Sequence, residues 1–252
     1  LGYTPFTDWT MDEYKGLLGL RTDPNIDYCA KNKDRIGEKV DAPTESVDWV
    51  GQKKVGPVKD QGACGSCWAF SAVGALEAGF AIHFQQEGQE FQQYSEQQLI
   101  DCNRDDISQG CNGGEMYDAF EFYSSHGICF EENYPYEAKN GECRDSSCKF
   151  DEFRIAGYEM TTDCDPTTNF EFLEQAPNSL GVAAGNRAWK NYVSGELDED
   201  ADCSTRLDHG VLLTGYIKER DAWQIKNSWS TSWGEEGYIY IKNDHTIGEG
   251  IC

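Results

Sequence analysis

Apolar residues are crowded unevenly along the chain, and the unevenness predicts its elements. The one long apolar segment, Trp68 to Phe84, is rich in alanine and has the length of a buried helix. A glycine-bearing turn, Gln61-Gly62-Ala63-Cys64-Gly65-Ser66, feeds it. Ser95 to Ile100 reads as a short helix opened by a capping box of Ser95 with Gln98. Met116 to Ser124 carries aromatics at helical spacing (Tyr117, Phe120, Tyr123) and should stop at His126-Gly127. From 127 to about 165 the chain is turn-rich. Beyond it the period shortens to that of strands, over Leu207–Ile217, Ala222–Ile225 and Tyr238–Lys242. Between Glu45 and Gln61 a mixed loop offers Val47, Trp49, Val55 and Val58 as core anchors. The chain is therefore helical first and strand-rich second.

Residues 1–41 have a different texture. Phe6 to Tyr14 predicts a short, Asp- or Thr-capped helix ending by Gly19. Arg21 to Lys39 is polar and aperiodic, so it is expected to be extended or mobile. Val40-Asp41-Ala42-Pro43 reads as a boundary, because proline disfavours helix in the residue before it.

Composition narrows the classes. A chain of 252 residues with seven tryptophans can bury a substantial core as one large or two small domains. It has no apolar run of about 18 residues, so no membrane partner is expected. The first residues lack the order of a signal peptide. A net charge of −24 leaves nothing to neutralise phosphates, which excludes nucleic acid as a partner. The acid excess reads as a solvated surface or as adaptation to an acidic compartment, where a chain of pI near 4.4 repels itself less. Eleven cysteines point to an oxidising or lysosome-like location. The odd count fits five bridges plus one nucleophile, or incomplete pairing.

Cys67 stands where the long helix should begin. The first turn of a helix offers unpaired N–H groups and positive potential, both of which favour thiolate over thiol. Gln61, six residues upstream, can aim a side-chain amide at the same point. A cysteine nucleophile also needs a base and a group to hold that base. Asp208-His209-Gly210 places a histidine at the head of an apolar strand, and Lys226-Asn227-Ser228-Trp229 supplies an amide beside an aromatic. Alone, each has a plainer reading: a buried structural cysteine, a surface histidine, a turn-forming asparagine.

Together, Cys64-Gly65-Ser66-Cys67-Trp68 with His209 and Asn227 about 140 and 160 residues further on resemble the papain-like cysteine proteases, the cathepsin L-type branch in particular. The resemblance runs from Pro43 to Cys252. It implies an α+β, two-lobe fold: a helical lobe over 42–152, a strand-rich, barrel-like lobe over 153–252, and an active-site cleft between them. It implies an endopeptidase acting through a Cys67 thioester, with His209 as acid and base, Asn227 orienting the imidazole, and Gln61 in the oxyanion hole. Gly113 and Gly114 would hydrogen-bond an extended peptide. Met116, Gly181, Leu207 and Gly210 would wall an apolar pocket for the second side chain before the cut bond, with Asp208 and Trp229 alongside. The pocket's floor in relatives lies beyond Cys252. Glu115, beside the pocket, is either solvated or an attraction for a basic side chain. No paired-histidine insertion follows Cys111, unlike in dipeptide-releasing relatives.

The same resemblance pairs Cys64 with Cys111, Cys102 with Cys143 and Cys203 with Cys252. Cys29, Cys129, Cys148 and Cys164 lie outside the family set, and three pairings of them stay open. No metal or cofactor is implied. Phe6, Asp8, Thr10 and Glu13 match the tail of the family's inhibitory propeptide, whose continuation crosses the cleft in the reverse sense to substrate. Residues 1–41 are thus expected to be the C-terminal part of a propeptide. Gly19 to about Arg35 should lie over Cys67, and cleavage near Val40–Pro43 should release activity. The expected partners are peptide and protein substrates and the chain's own propeptide, for a monomer in a lysosome-like compartment or secreted. Two other readings stand against this one: a peptide-binding or storage protein on the same scaffold, and a redox carrier using Cys64 and Cys67. The first would show a damaged Cys–His pair; the second needs a βαβ context that is absent.

Overall fold

The computed structural model describes residues 1–148, 155–201, 203–248 and 250–252. Helix α1 (Met11–Lys15) is opened by Thr10, whose side chain accepts from Glu13 N while the Glu13 carboxylate accepts from Thr10 N. That reciprocal cap explains how five residues hold a helix. Strand β1 (Val47–Asp48) follows, then α2 (Cys67–His83), α3 (Glu96–Cys102) and α4 (Met116–Ser125). Next come α5 (Pro166–Gln175), β2 (Asn178–Val182), α6 (Arg187–Lys190) and β3 (Glu196–Leu197). The chain closes with β4 (His209–Ile217), β5 (Ala222–Lys226) and β6 (Tyr238–Lys242). The class is α+β.

The six strands form one sheet in the order β1-β4-β5-β6-β3, with β2 also on β4. All pairs are antiparallel except β3 with β6. Strand β4 is the hub: β2 and β1 share one edge in succession and β5 takes the other. Two apolar clusters result. One gathers around Trp189, Trp229 and Trp233 on the sheet, the other around Trp68, Tyr94 and Tyr123 among α2, α3 and α4. Helix α2 is apolar on every side because it is covered from both directions. Gly74 lets it press on the sheet, since a Cβ there would lie 3.2 Å from Leu212, and Ser71 Oγ donates to Val211 O. The start of α2 is thereby fixed against the start of β4.

Several expectations are corrected. The span Arg21–Lys39 contains a 3₁₀ helix, Ala30–Arg35, docked against the strand-rich half by long-range bonds that its local polarity could not reveal. Ser95 caps α3 through Gln98 N, but the Gln98 side chain does not return the bond. Its amide spans to Gly127 O and Cys129 N instead. Val47 and Asp48, expected to lie with the helical half, join the edge of the sheet. The boundary expected at 152–153 lies outside the described residues. Helices α5 and α6 and strands β2 and β3 had no counterpart in the sequence reading.

Candidate active site

Cys67 opens α2, fully buried, and is the free cysteine among the described residues. Gly210 N donates to its sulfur at 3.3 Å, which sets the thiol beside the first residues of β4. His209, also fully buried, shares an Nε2···Oδ1 hydrogen bond of 2.8 Å with Asn227. Ser228 N donates to that same Oδ1, so the amide oxygen is held as an acceptor. His209 Nε2 must then carry the proton, which leaves a bare lone pair on Nδ1. Nδ1 is buried and has no partner among the described residues. Trp229 stacks on the imidazole, with centroids 4.6 Å apart, and roofs the His209–Asn227 bond. Trp189 meets the ring edge-on.

Gln61 is oriented as tightly. Its Oε1 accepts from Ser228 Oγ at 2.7 Å and from Trp229 Nε1 at 3.1 Å. The amide nitrogen is thus turned the other way, toward the cleft, where it donates to Leu17 O and Cys64 O at 2.8 Å each. Sequence reasoning missed Ser228 as the residue that fixes both amides. Its only signal was its place between Asn227 and Trp229.

The cleft is filled by the chain's own leading segment. Gly19 N donates to Cys67 Sγ at 3.2 Å. Gly114 N donates to Gly19 O, Arg21 N donates to Gly114 O, and Leu20 N donates to Asp208 O. Leu20 bridges Gly114 in the parallel sense. Only glycine fits at 19, because a Cβ would stand 1.8 Å from Gly65 O. Gly113, at φ +107°, permits the same approach from the other side, since a Cβ there would lie 2.8 Å from Gly19 O. The Leu20 side chain reaches Gly181, whose Cβ would lie 3.0 Å from it and 3.4 Å from Leu207. Met116 packs in the same cluster as Leu20, with its sulfur against Gly210. Upstream, Phe6 and Tyr14 meet Trp229 edge-on at 5.2 and 5.5 Å, and Tyr14 OH donates to Ala184 O. The crossing is therefore made by Leu17–Arg21. The expected span, Gly19 to about Arg35, is too long, because residues from Cys29 onward turn away onto the strand-rich half.

Burial governs the electrostatics. It pushes the Cys67 thiol up to about 11, against the N–H donors of Gly210 and Gly19, which pull it down. It pushes His209 down to about 4, partly offset by the bond with Asn227. In the occluded site both groups are therefore neutral at pH 7. Glu115 is buried and its carboxyl raised to about 7; one oxygen caps α4 at Met116 N and the other has no partner among the described residues. It is not the solvated side chain that is the usual fate of a glutamate.

The structure forms five disulfides: Cys64–Cys111, Cys102–Cys143, Cys203–Cys252, Cys129–Cys148 and Cys29–Cys164. Cys64 is thus unavailable for dithiol exchange with Cys67. Among the described residues no helix is long and apolar enough to cross a membrane.

A buried thiol at a helix start, held by the amide of the residue after a histidine whose Nε2 is bonded to an asparagine, lies between a helical and a strand-rich half. Residues 43–251 match the family model "Papain family cysteine protease", and the chain belongs to that family. It is 40% identical over 257 residues to "Probable cysteine protease RD21B" of Arabidopsis thaliana, covering all of this chain and 53% of that protein. It is 39% identical over 260 residues to cysteine proteinase COT44 of Brassica napus, covering all of this chain and 77% of that protein. Among solved structures it is similar to the ragweed pollen allergen Amb a 11 in its proform, at TM-score 0.82 and 32% identity, over 98% of this chain and 75% of that one. It is also similar to the Carica candamarcensis protease CMS1MS2 in complex with E-64, at TM-score 0.74 and 38% identity, over 83% of this chain and 93% of that one.

Proposed function

We propose that the chain is the latent form of a cysteine endopeptidase. Cys67, as thiolate, attacks the scissile carbonyl, and the oxyanion is received by Gln61 Nε2 and the Cys67 N–H. Collapse of that adduct breaks the C–N bond, and the amine leaves with a proton from His209. The resulting thioester is hydrolysed by a water that gives its proton to His209. Asn227 and Trp229 keep the imidazole in plane, and loss of one oxyanion donor costs about 10²–10³ in rate.

One observation carries this reading. The leading segment puts a carbonyl on Gln61 Nε2, main-chain bonds on Gly114 and a leucine against Gly181 and Leu207, each a contact a peptide substrate would make, while it covers Cys67 Sγ with an amide N–H that offers no carbonyl to attack. The same leucine supports a preference for an apolar side chain at the second position before the cut. Coverage supports the latency: the similarity to a proform reaches 98% of this chain and the similarity to the E-64 complex 83%. Asp41 and Ala42 are exposed, which suits a processing cut near Val40–Pro43. Peptides and proteins are the substrates, residues 1–41 the inhibitor, and an acidic or extracellular compartment the setting. After cleavage and reduction, a fluorogenic dipeptidyl substrate with Leu or Phe at the second position should be hydrolysed. Cys67→Ala should lose the activity by at least about 10⁴-fold while keeping the fold. Hydrolysis that survives this change would end the proposal.

A further inference from the structure

Four of the five disulfides close within residues 64–252. The fifth, Cys29–Cys164, does not: it ties the leading segment to the body of the enzyme across a sequence separation of 135. A cut at the exposed loop near 41–42 would leave two chains, and this bond is the only disulfide among the described residues that joins them.

We propose that Cys29–Cys164 is a redox-opened latch, a site for reduction by a thiol or dithiol, which keeps the cleaved segment over Cys67 until that bond is broken. The inference rests on the reading of residues 1–41 as inhibitory and adds a second requirement to it.

The bond sits in a built interface. Cys29 N donates to Thr162 O at 2.7 Å, and the buried Asn32 amide donates to Asp163 O at 2.9 Å. Further along, Gly37 N donates to Ile247 O and Ile247 N to Glu38 O. These bonds align the two cysteines in the folded zymogen. From Cys29 a short tether, residues 21–28, runs back to Leu20 in the cleft. A linker that short holds its end at an effective concentration in the millimolar range, about a thousandfold above a micromolar fragment free in solution. Peptide cleavage alone therefore does not dilute the inhibitor away; reduction does.

The step balances simply. A reductant thiolate attacks one sulfur of the bridge, forms a mixed disulfide and expels the other cysteine as thiolate, which takes up a proton. A second thiol resolves the mixed disulfide. The bridge gains two electrons and two protons, and the reductant leaves as its own disulfide.

The test uses the full chain with a recognition sequence for a specific protease placed in the exposed loop at 41–46. After cutting, intact mass without reductant and the rate of Cys67 modification by E-64 are followed through a titration with a dithiol. The cut wild type should run as one species, the mass of the uncut chain plus one water, and label no faster than about threefold over the uncut chain. On reduction the two pieces should part and labelling should rise by about a hundredfold or more, within the advantage a tether gives. The cut Cys29→Ser/Cys164→Ser variant should part and label fast with no dithiol, which separates the latch from any need of Cys67 itself for reductant. The titration of the wild type stands without that variant if it folds poorly. A cut wild type that sheds its segment without reductant, or that stays whole yet labels as fast as the double variant, overturns the latch alone. Full-rate labelling of the uncut chain shows instead that residues 1–41 do not inhibit, and removes the reading beneath it.

Discussion

The two halves of the leading segment are held in opposite ways. Residues 6–20 dock by burial: Phe6, Tyr14, Leu17 and Leu20 vanish into the apolar clusters, and Tyr14 is fully covered. Residues 22–40 bury almost nothing except Asn32 and Cys29, and hold on by main-chain bonds, charge pairs whose basic ends are exposed, and one covalent bond. The first half does the occluding and can be melted or mutated off. The second half does no occluding but fixes the first half's address. An inhibitor built only like the first would leave after cleavage; one built only like the second would not cover the sulfur.

The largest difference between covered and uncovered states should be in the thiol itself. Burial holds Cys67 up at about 11 and His209 down at about 4. The sign follows from desolvation, which disfavours whichever form is charged. At pH 7 the covered thiol would be ionised to only about one part in 10⁴, and exposure of the pair would let thiolate and imidazolium stabilise each other. Ultraviolet thiolate absorbance, corrected with Cys67→Ala, should appear in the intact chain only toward pH 11 and in the freed enzyme at neutral pH. A neutral-pH thiolate in the intact chain would contradict the covered geometry.

Next in size are changes to the buried half. Tyr14→Ala removes a fully buried ring from Trp229 and one of the two donors to Ala184 O, a loss of about 3 kcal/mol, or roughly a hundredfold in the open population. E-64 labelling of the uncut chain should rise accordingly, while the melting point of the freed enzyme stays put. Gly19→Ala forces a Cβ to within 1.8 Å of a backbone oxygen that cannot yield, so the strand must lift. About 1–3 kcal/mol of overpacking corresponds to a tenfold to hundredfold rise in labelling. If neither change opens the site, the occlusion does not depend on this packing.

How much of this could be read from the chain follows the same division. Helices α2 and α4 and strands β4 to β6 were legible because their residues meet one continuous apolar environment and repeat with its period. Cys67, His209, Asn227 and Gln61 were singled out through a signature and its spacing. Helix α5 escaped although Asp165 caps it and Pro166 sits in its first turn, because only Leu173 on it is buried and the apolar stripe is thin. The 3₁₀ helix at 30–35 left no periodic signal, since it is set by Thr162, Asp163 and Cys164, residues far away in sequence. Ser228 was invisible for a related reason: a hydroxyl that orients two amides looks in sequence like any serine.

The exposed charges of the second half give the smallest effect and sharpen the comparison most. Lys31 lies 3.5 Å from Asp163 and Arg35 lies 3.6 Å from Asp165, with Lys31 77% exposed. Their acidic partners are covered, but the basic ends stay in solvent, where screening and the disorder of long side chains keep each pair to about 1 kcal/mol. With the latch closed, the segment's position does not depend on them. Lys31→Ala/Arg35→Ala in the cut but unreduced protein should therefore change the E-64 labelling rate by less than about twofold, within what two weak pairs behind a covalent tether can move. In the cut Cys29→Ser/Cys164→Ser background the same pairs bear on whether the segment rebinds, and their loss should weaken binding of the released 1–41 fragment by about threefold to tenfold, an effect that salt should erase. A large effect in the latched protein would mean that charge, and not the disulfide, fixes the second half.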